Sequence, residues 1–175
     1  MELSLPADLM AGLRERLASE QPAKPLSPRR LRAVERELGF ELPTFLRDLY
    51  GSLGNGGFGP GYGITGLSGG AKDDLGRDVV EDYVLRRGVD ADDPGWFWPT
   101  AVLAVCHWGC GIYSCIDCRS PEARVLRFDP NPVDEDWSVA WGLEQTDLAT
   151  WLRRWLDGDE MFESGTPDGS FSVAR

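Results

Sequence analysis

Apolar positions in the first half of the chain recur at helical spacing. Leu9, Leu13 and Leu17 fall at i, i+4, i+8, which predicts an amphipathic helix within residues 3–20 whose first turn Pro6 can open. After a proline-bearing linker over Gln21 to Leu26, Ser27 supplies an N-cap and Pro28 a first helical position. Leu31, Val34 and Leu38 then face inward, and Gly39 provides the stop. A third helix begins at Pro43, places Leu46, Leu49 and Tyr50 on one face, and ends near Gly51. Glycines then crowd the stretch from Gly54 to Gly70. At roughly 1 kcal/mol each relative to alanine they exclude a helix, so this segment reads as loop running into a strand around Tyr62 to Leu67.

Asp78 caps a further predicted helix with Val79, Val80, Tyr83 and Val84 as its apolar face and Gly88 as its stop, followed by an acidic turn from Asp90 to Pro94. Beyond Trp96-Phe97-Trp98-Pro99 the pattern becomes strand-like. Val102 to His107, Gly111 to Cys118 and Val125 to Phe128 read as antiparallel strands of a meander, closed by Asp129-Pro130-Asn131-Pro132. Thr146 and Asp147 start a last helix with Leu148, Trp151, Leu152 and Trp155 as a core stripe. The pattern predicts one domain over residues 1–162 and a polar tail over residues 163–175 that frays after Phe162.

A chain of 175 residues with 42% hydrophobic content needs one core, and no run approaches the ~20 apolar residues that span a bilayer. The N-terminus lacks a basic stretch followed by an apolar one, so a cytoplasmic location is expected. The formal charge of −11 argues against nucleic acid as a partner, because phosphate binding needs clustered Lys and Arg, and it favours a basic protein.

Catalytic and metal motifs find little support. Gly54/Gly56/Gly59 and Gly61/Gly63/Gly66 match the spacing of a dinucleotide loop, but they follow a helix where that motif needs a strand before and a helix after. His107 is the one histidine, and its strand neighbour Cys106 points to the other face. Cys106, Cys110, Cys115 and Cys118 lie close in sequence. Reduced buried thiols are the favoured reading, with structural zinc and a disulfide or redox role as alternatives; strand alternation sends Cys115 and Cys118 apart and argues against zinc. No cofactor is expected. The remaining candidate is a surface: Asp73, Asp74, Asp78, Glu81 and Asp82, then Asp90, Asp92 and Asp93, with Trp96 and Trp98 close behind, would place aromatic anchors beside a carboxylate field suited to a basic partner.

Leu42-Pro43, then Asn55-Gly56-Gly57-Phe58-Gly59 and Gly61-Tyr62-Gly63, resembles the signature of the SUKH superfamily, the fold of yeast cell-wall-assembly regulators and many bacterial toxin-immunity proteins. The resemblance extends over Ser27 to Trp155 and includes W-G-C-G-I-Y-S-C-I-D from Trp108, which looks like a structural strand-turn-strand piece of that fold. It implies an α+β fold in which N-terminal helices and a C-terminal helix pack on a twisted, mainly antiparallel sheet. It also implies a non-enzymatic immunity or antitoxin role, in which a cognate toxin protein, often a nuclease, is neutralised by direct binding; the acidic charge of this chain makes a basic toxin the expected partner. The other expectations are a regulatory scaffold for a housekeeping protein and a small zinc or thiol module on the cysteine hairpin.

Overall fold

The computed structural model describes residues 4–162 and Val173. Expectations for the rest of the tail lie outside the described residues. Helix α1 (Ala7–Leu17) buries Leu9, Leu13 and Leu17, and Pro6 occupies the N-cap position. Helix α2 (Pro28–Leu38) begins where the Ser27 hydroxyl accepts from the Arg30 N–H and ends at Gly39, whose φ of 82° is the left-handed stop. Helix α3 (Thr44–Asp48) does not end at Gly51. It widens into a π-helical turn over Leu49–Leu53 that buries Leu49, Tyr50 and Leu53 and lets the Tyr50 hydroxyl donate to the Thr65 carbonyl at 2.8 Å.

The glycine-rich loop is a knot of backbone. Asn55, 2% exposed, donates from Nδ2 to the Leu67 carbonyl at 3.2 Å and accepts from the Leu67 N–H at 2.8 Å. A Cβ on Gly56 would stand 2.5 Å from the Gly66 nitrogen, and one on Gly66 would stand 2.3 Å from the Asn55 carbonyl oxygen. These contacts are backbone to backbone and have nowhere to yield. The strand expected around Tyr62 to Leu67 is reduced to one bridge, Ile64 to Cys106, with the Tyr62 and Thr65 N–H groups donating to His107 and Val105, because the rest of the loop pairs with itself: the Gly57 N–H donates to Ile64 and the Ile64 N–H to Phe58.

Helix α4 (Val79–Arg86) leads through the tryptophan segment into β1 (Val102–Gly109), β2 (Ile112–Asp117) and β3 (Arg124–Phe128). A 3₁₀ turn over Trp137–Ala140 then feeds β4 (Trp141–Gln145), for which the apolar pattern gave no signal. The sheet is an antiparallel meander in the order β1-β2-β3-β4, so the fold is α+β as expected. Glu144 explains why this short, glycine-bearing segment is a strand. Its carboxylate accepts from the buried Ser114 hydroxyl of β2 at 2.7 Å, from Arg127 of β3 at 3.1 Å and from the Trp151 indole at 2.7 Å. That carboxylate therefore locks β4 against two strands and a helix.

Helix α5 (Leu148–Asp157), capped by Asp147 through the Thr150 N–H at 2.7 Å, buries Leu148, Trp151, Leu152 and Trp155. It meets α1 closely. A Cβ on Gly12 would stand 2.7 Å from Leu156, and the Arg16 guanidinium lies 4.6 Å above the Trp155 ring. No helix of the described residues is long and apolar enough to cross a membrane.

Candidate protein-docking surface

The acidic segment is built outward from α4. Asp78 and Glu81 form a reciprocal capping box: Asp78 Oδ1 accepts from the N–H groups of Val80 at 3.1 Å and Glu81 at 3.0 Å, and Glu81 Oε2 accepts from the Asp78 N–H at 2.9 Å. The Lys72 ammonium bridges both, at 2.9 Å from Asp78 and 2.7 Å from Glu81. Burial pushes the Asp78 carboxyl up, but the Glu81 N–H and the Lys72 ammonium outweigh it and hold Asp78 below the usual carboxylate range. Asp73 turns its side chain inward, where Oδ1 accepts from the N–H groups of Leu75 and Arg77.

Asp82 is also interior, 4% exposed, and paired with Arg86 and Arg77. Arg86 in turn lies over the rings of Tyr113 at 4.3 Å and Trp98 at 4.5 Å, a cation held between an aromatic face and a carboxylate. Trp98 is 1% exposed, donates to the Val102 carbonyl at 2.7 Å and packs on Trp141 and Phe128.

This geometry corrects the surface read from the sequence. Asp78, Asp82 and Trp98 are inside the protein, and the Asp73 side chain is buried, because each satisfies a cap, a guanidinium or the core. Trp96 is half-buried: its indole donates to the Arg86 carbonyl at 3.0 Å and stands edge-on to Trp137, 4.7 Å away. Asp93 is partly covered and accepts from the Trp137 indole at 2.7 Å. Asp74, Glu81 and Asp92 remain exposed, with Asp90 beside them in sequence order.

The outer side of α4 carries apolar side chains where charge was expected. Val84, predicted to face the core, is 59% exposed, Leu85 is 61% exposed and Val89 97%. Leu85 and Val89 line a shallow concavity of about 390 Å³ with Arg77, Arg86, Gly88, Asp90 and Trp96. Val89 lies in the loop past the end of α4, so no helical period ties it to Leu85 and no local pattern in the sequence marks this face.

The cysteine hairpin carries neither metal nor disulfide geometry. Cys106 and Cys115 are buried, Cys110 is exposed in the β1–β2 turn, and all four thiols are free. Burial pushes the thiols of Cys106, Cys115 and Cys118 well above their ordinary range. Among the described residues no group of three His, Cys, Asp or Glu side chains is placed to hold a metal ion. His107 is stacked between Tyr62 and Tyr113, at 5.5 and 4.7 Å, with its Nδ1 3.4 Å from Asp74. Cys106 Sγ meanwhile donates to the Pro60 carbonyl at 3.2 Å, so the pair is not a nucleophile and its base.

No curated protein and no solved structure matches the chain. A family model does, the one described as the SMI1 / KNR4 family (SUKH-1), and its match runs from residue 25 to residue 157. That interval begins just before α2 and ends with α5, so it takes in the glycine knot, the whole sheet and the α4 surface. The chain belongs to the SMI1/KNR4 (SUKH-1) family.

Proposed function

We propose that this protein is a cytoplasmic, non-enzymatic immunity protein that captures a basic, nuclease-type toxin on the outer face of α4 and the loop that follows it. Toxin immunity and related regulatory roles are what the family is known for, and they set the class of activity. The observation that carries the reading is the composition of the face. Val84, Leu85 and Val89 are exposed apolar side chains, Asp90 lines the concavity with Leu85 and Val89, and the exposed Asp92 follows two residues on.

Protein interfaces have this anatomy, an apolar centre that is desolvated on docking and a charged rim that steers approach. Covering Leu85 and Val89 supplies about 1–3 kcal/mol each by area, and the net charge of −11 accelerates capture of a cation-rich partner. The toxin's own substrate groove, basic because it binds phosphates, is the surface such a face complements. Occluding it neutralises the toxin without any chemistry.

The test is co-expression with a basic toxin encoded beside the gene, followed by capture at low salt and a high-salt wash. Protection and salt-sensitive capture are expected, and both should be lost in Leu85→Arg/Val89→Arg while the thermal midpoint stays within a few degrees. A chain that neither binds nor protects, or a double variant that protects as well as the parent, refutes the proposal.

A further inference from the structure

Helix α2 carries a second surface of opposite sign. Arg29, Arg32 and Arg36 recur at i, i+3 and i+7, directly across the helix from the buried stripe of Leu31, Val34 and Leu38, and all three are exposed. Among the described residues none of the three has an ion-pair partner. The acidic neighbours on the helix are taken: Glu35 accepts from Arg47 Nε at 2.7 Å and from the Leu42 N–H at 2.9 Å, and Glu37 accepts from the Ser68 hydroxyl at 3.2 Å. The stripe is locally unfavourable, since arginines three and four apart repel. Arg29 and Arg30 also occupy the first turn, where the helix dipole favours carboxylates, and no acidic residue is present there. In a chain of net charge −11 this is a concentrated exception.

Beside the stripe lies an open groove of about 640 Å³. Pro28, Leu31 and Phe40 give its lining apolar surface, and Arg32, Arg36 and Arg47 give it charge. Glu41 also lines it and Glu35 is committed to Arg47, which leaves Arg32 and Arg36 against one carboxylate and the lining net positive.

We propose that this groove is a docking site for an acidic peptide segment of a partner protein, whose carboxylates pair with Arg32 and Arg36 while an apolar side chain covers Phe40. Guanidinium groups bind carboxylates through paired N–H donors, and the apolar lining rewards a side chain that a sugar-phosphate backbone does not carry. The overall negative charge further repels an extended polyanion, which sets nucleic acid apart from a short acidic peptide. The groove shares no residue with the α4 face. It therefore admits a second partner, or a second segment of the same one, and stands or falls independently of toxin capture.

The probe is a fluorescein-labelled peptide with a central Leu-Phe pair flanked by glutamates, titrated with the full chain and read by fluorescence anisotropy at low salt. Saturable binding is expected, weakened roughly tenfold or more in Arg32→Glu/Arg36→Glu and by less in Arg32→Gln/Arg36→Gln. Replacing the peptide's Leu-Phe pair by serines should weaken binding several-fold. Circular dichroism confirms that the variants, altered only at exposed positions, keep the fold. The proposal is overturned by an absence of saturable binding, by equal affinity of the charge-reversed variant, or by tighter binding of a single-stranded oligonucleotide of matched charge. It is also overturned if sedimentation shows self-association that the charge reversal abolishes, which would assign the groove to a second copy of this chain.

Discussion

Replacing Asn55 by alanine tests whether the glycine knot is held by one side chain. Asn55 is 2% exposed, and its amide both donates to and accepts from the backbone of Leu67, itself fully buried. The alanine removes both bonds and strands the buried Leu67 N–H, while the Leu67 carbonyl keeps its bond from the Gly70 N–H at 2.8 Å. An unsatisfied buried group costs roughly 1–3 kcal/mol and the loss of a bond to a group that keeps another partner about 0.5–1.5 kcal/mol, so the change should cost about 1.5–4.5 kcal/mol out of a total stability on the order of 5–15 kcal/mol. At about 2–4 °C per kcal/mol for a chain of this size, the thermal midpoint should fall by roughly 3–18 °C. Urea unfolding followed by tryptophan fluorescence reads the change directly, with a lower midpoint and an unaltered slope.

Asn55→Asp sharpens the test. The carboxylate can still accept from the Leu67 N–H, but it faces the Leu67 carbonyl with no proton to donate. Burial then raises its folded pKa above the unfolded value of about 3.9, so the defect should be largest near neutral pH and shrink as the solution is acidified. Loss of less than about 0.5 kcal/mol in Asn55→Ala, or an Asn55→Asp variant whose defect ignores pH, would refute the account of the knot.

Other outcomes follow from the same geometry. Asp82→Ala leaves the buried Arg86 guanidinium without its carboxylate and should cost about 3–5 kcal/mol in urea unfolding, whereas an exposed acid such as Asp92 should be near neutral to alanine. Asp78 and Glu81 both have depressed carboxyl pKa values, Glu81 chiefly through its bond to Lys72. The stability they contribute is therefore fully present above pH of about 4.5 and lost as pH falls through their folded values; the difference between the parent and Lys72→Met should shrink towards zero in acid. Among the four thiols Cys110 should react with a thiol reagent at once, the half-buried Cys118 more slowly, and Cys106 and Cys115 only at the rate of unfolding; rapid modification of either of those last two in the native protein contradicts their burial.

Much of the architecture was legible because it is locally encoded. Ser27-Pro28 and Gly39 bound α2, Asp78 and Glu81 write a capping box three residues apart, and Asp147 opens α5; each signal is complete within one helical turn. The glycine block was recognisable as a family signature and as loop, and the three β-like runs were found within a residue or two of their ends. The strand β4 was missed because Trp-Gly-Leu-Glu-Gln has no period-two pattern of its own, and Glu144 makes sense there only once Ser114, Arg127 and Trp151 surround it. The predicted strand near Tyr62 failed for the converse reason, since glycines at positive φ fold the segment onto itself before it can extend.

The candidate site shows the limit most clearly. Sequence by itself determined that the 73–98 segment is acidic and aromatic, that α4 has an apolar stripe, and that the chain carries the SUKH signature. Only the tertiary structure decided that Asp78 and Asp82 point inward while Leu85 and Val89 point outward, and that Trp98 belongs to the core. The reason is physical. Caps and periodicities depend on neighbours within a few residues, whereas burial and charge pairing depend on what the rest of the chain brings alongside. The Asp82–Arg86 pair is held inside because Tyr113 arrives from β2 beneath the guanidinium, and Trp98 is buried because Phe128 and Trp141 arrive from β3 and β4 to cover it.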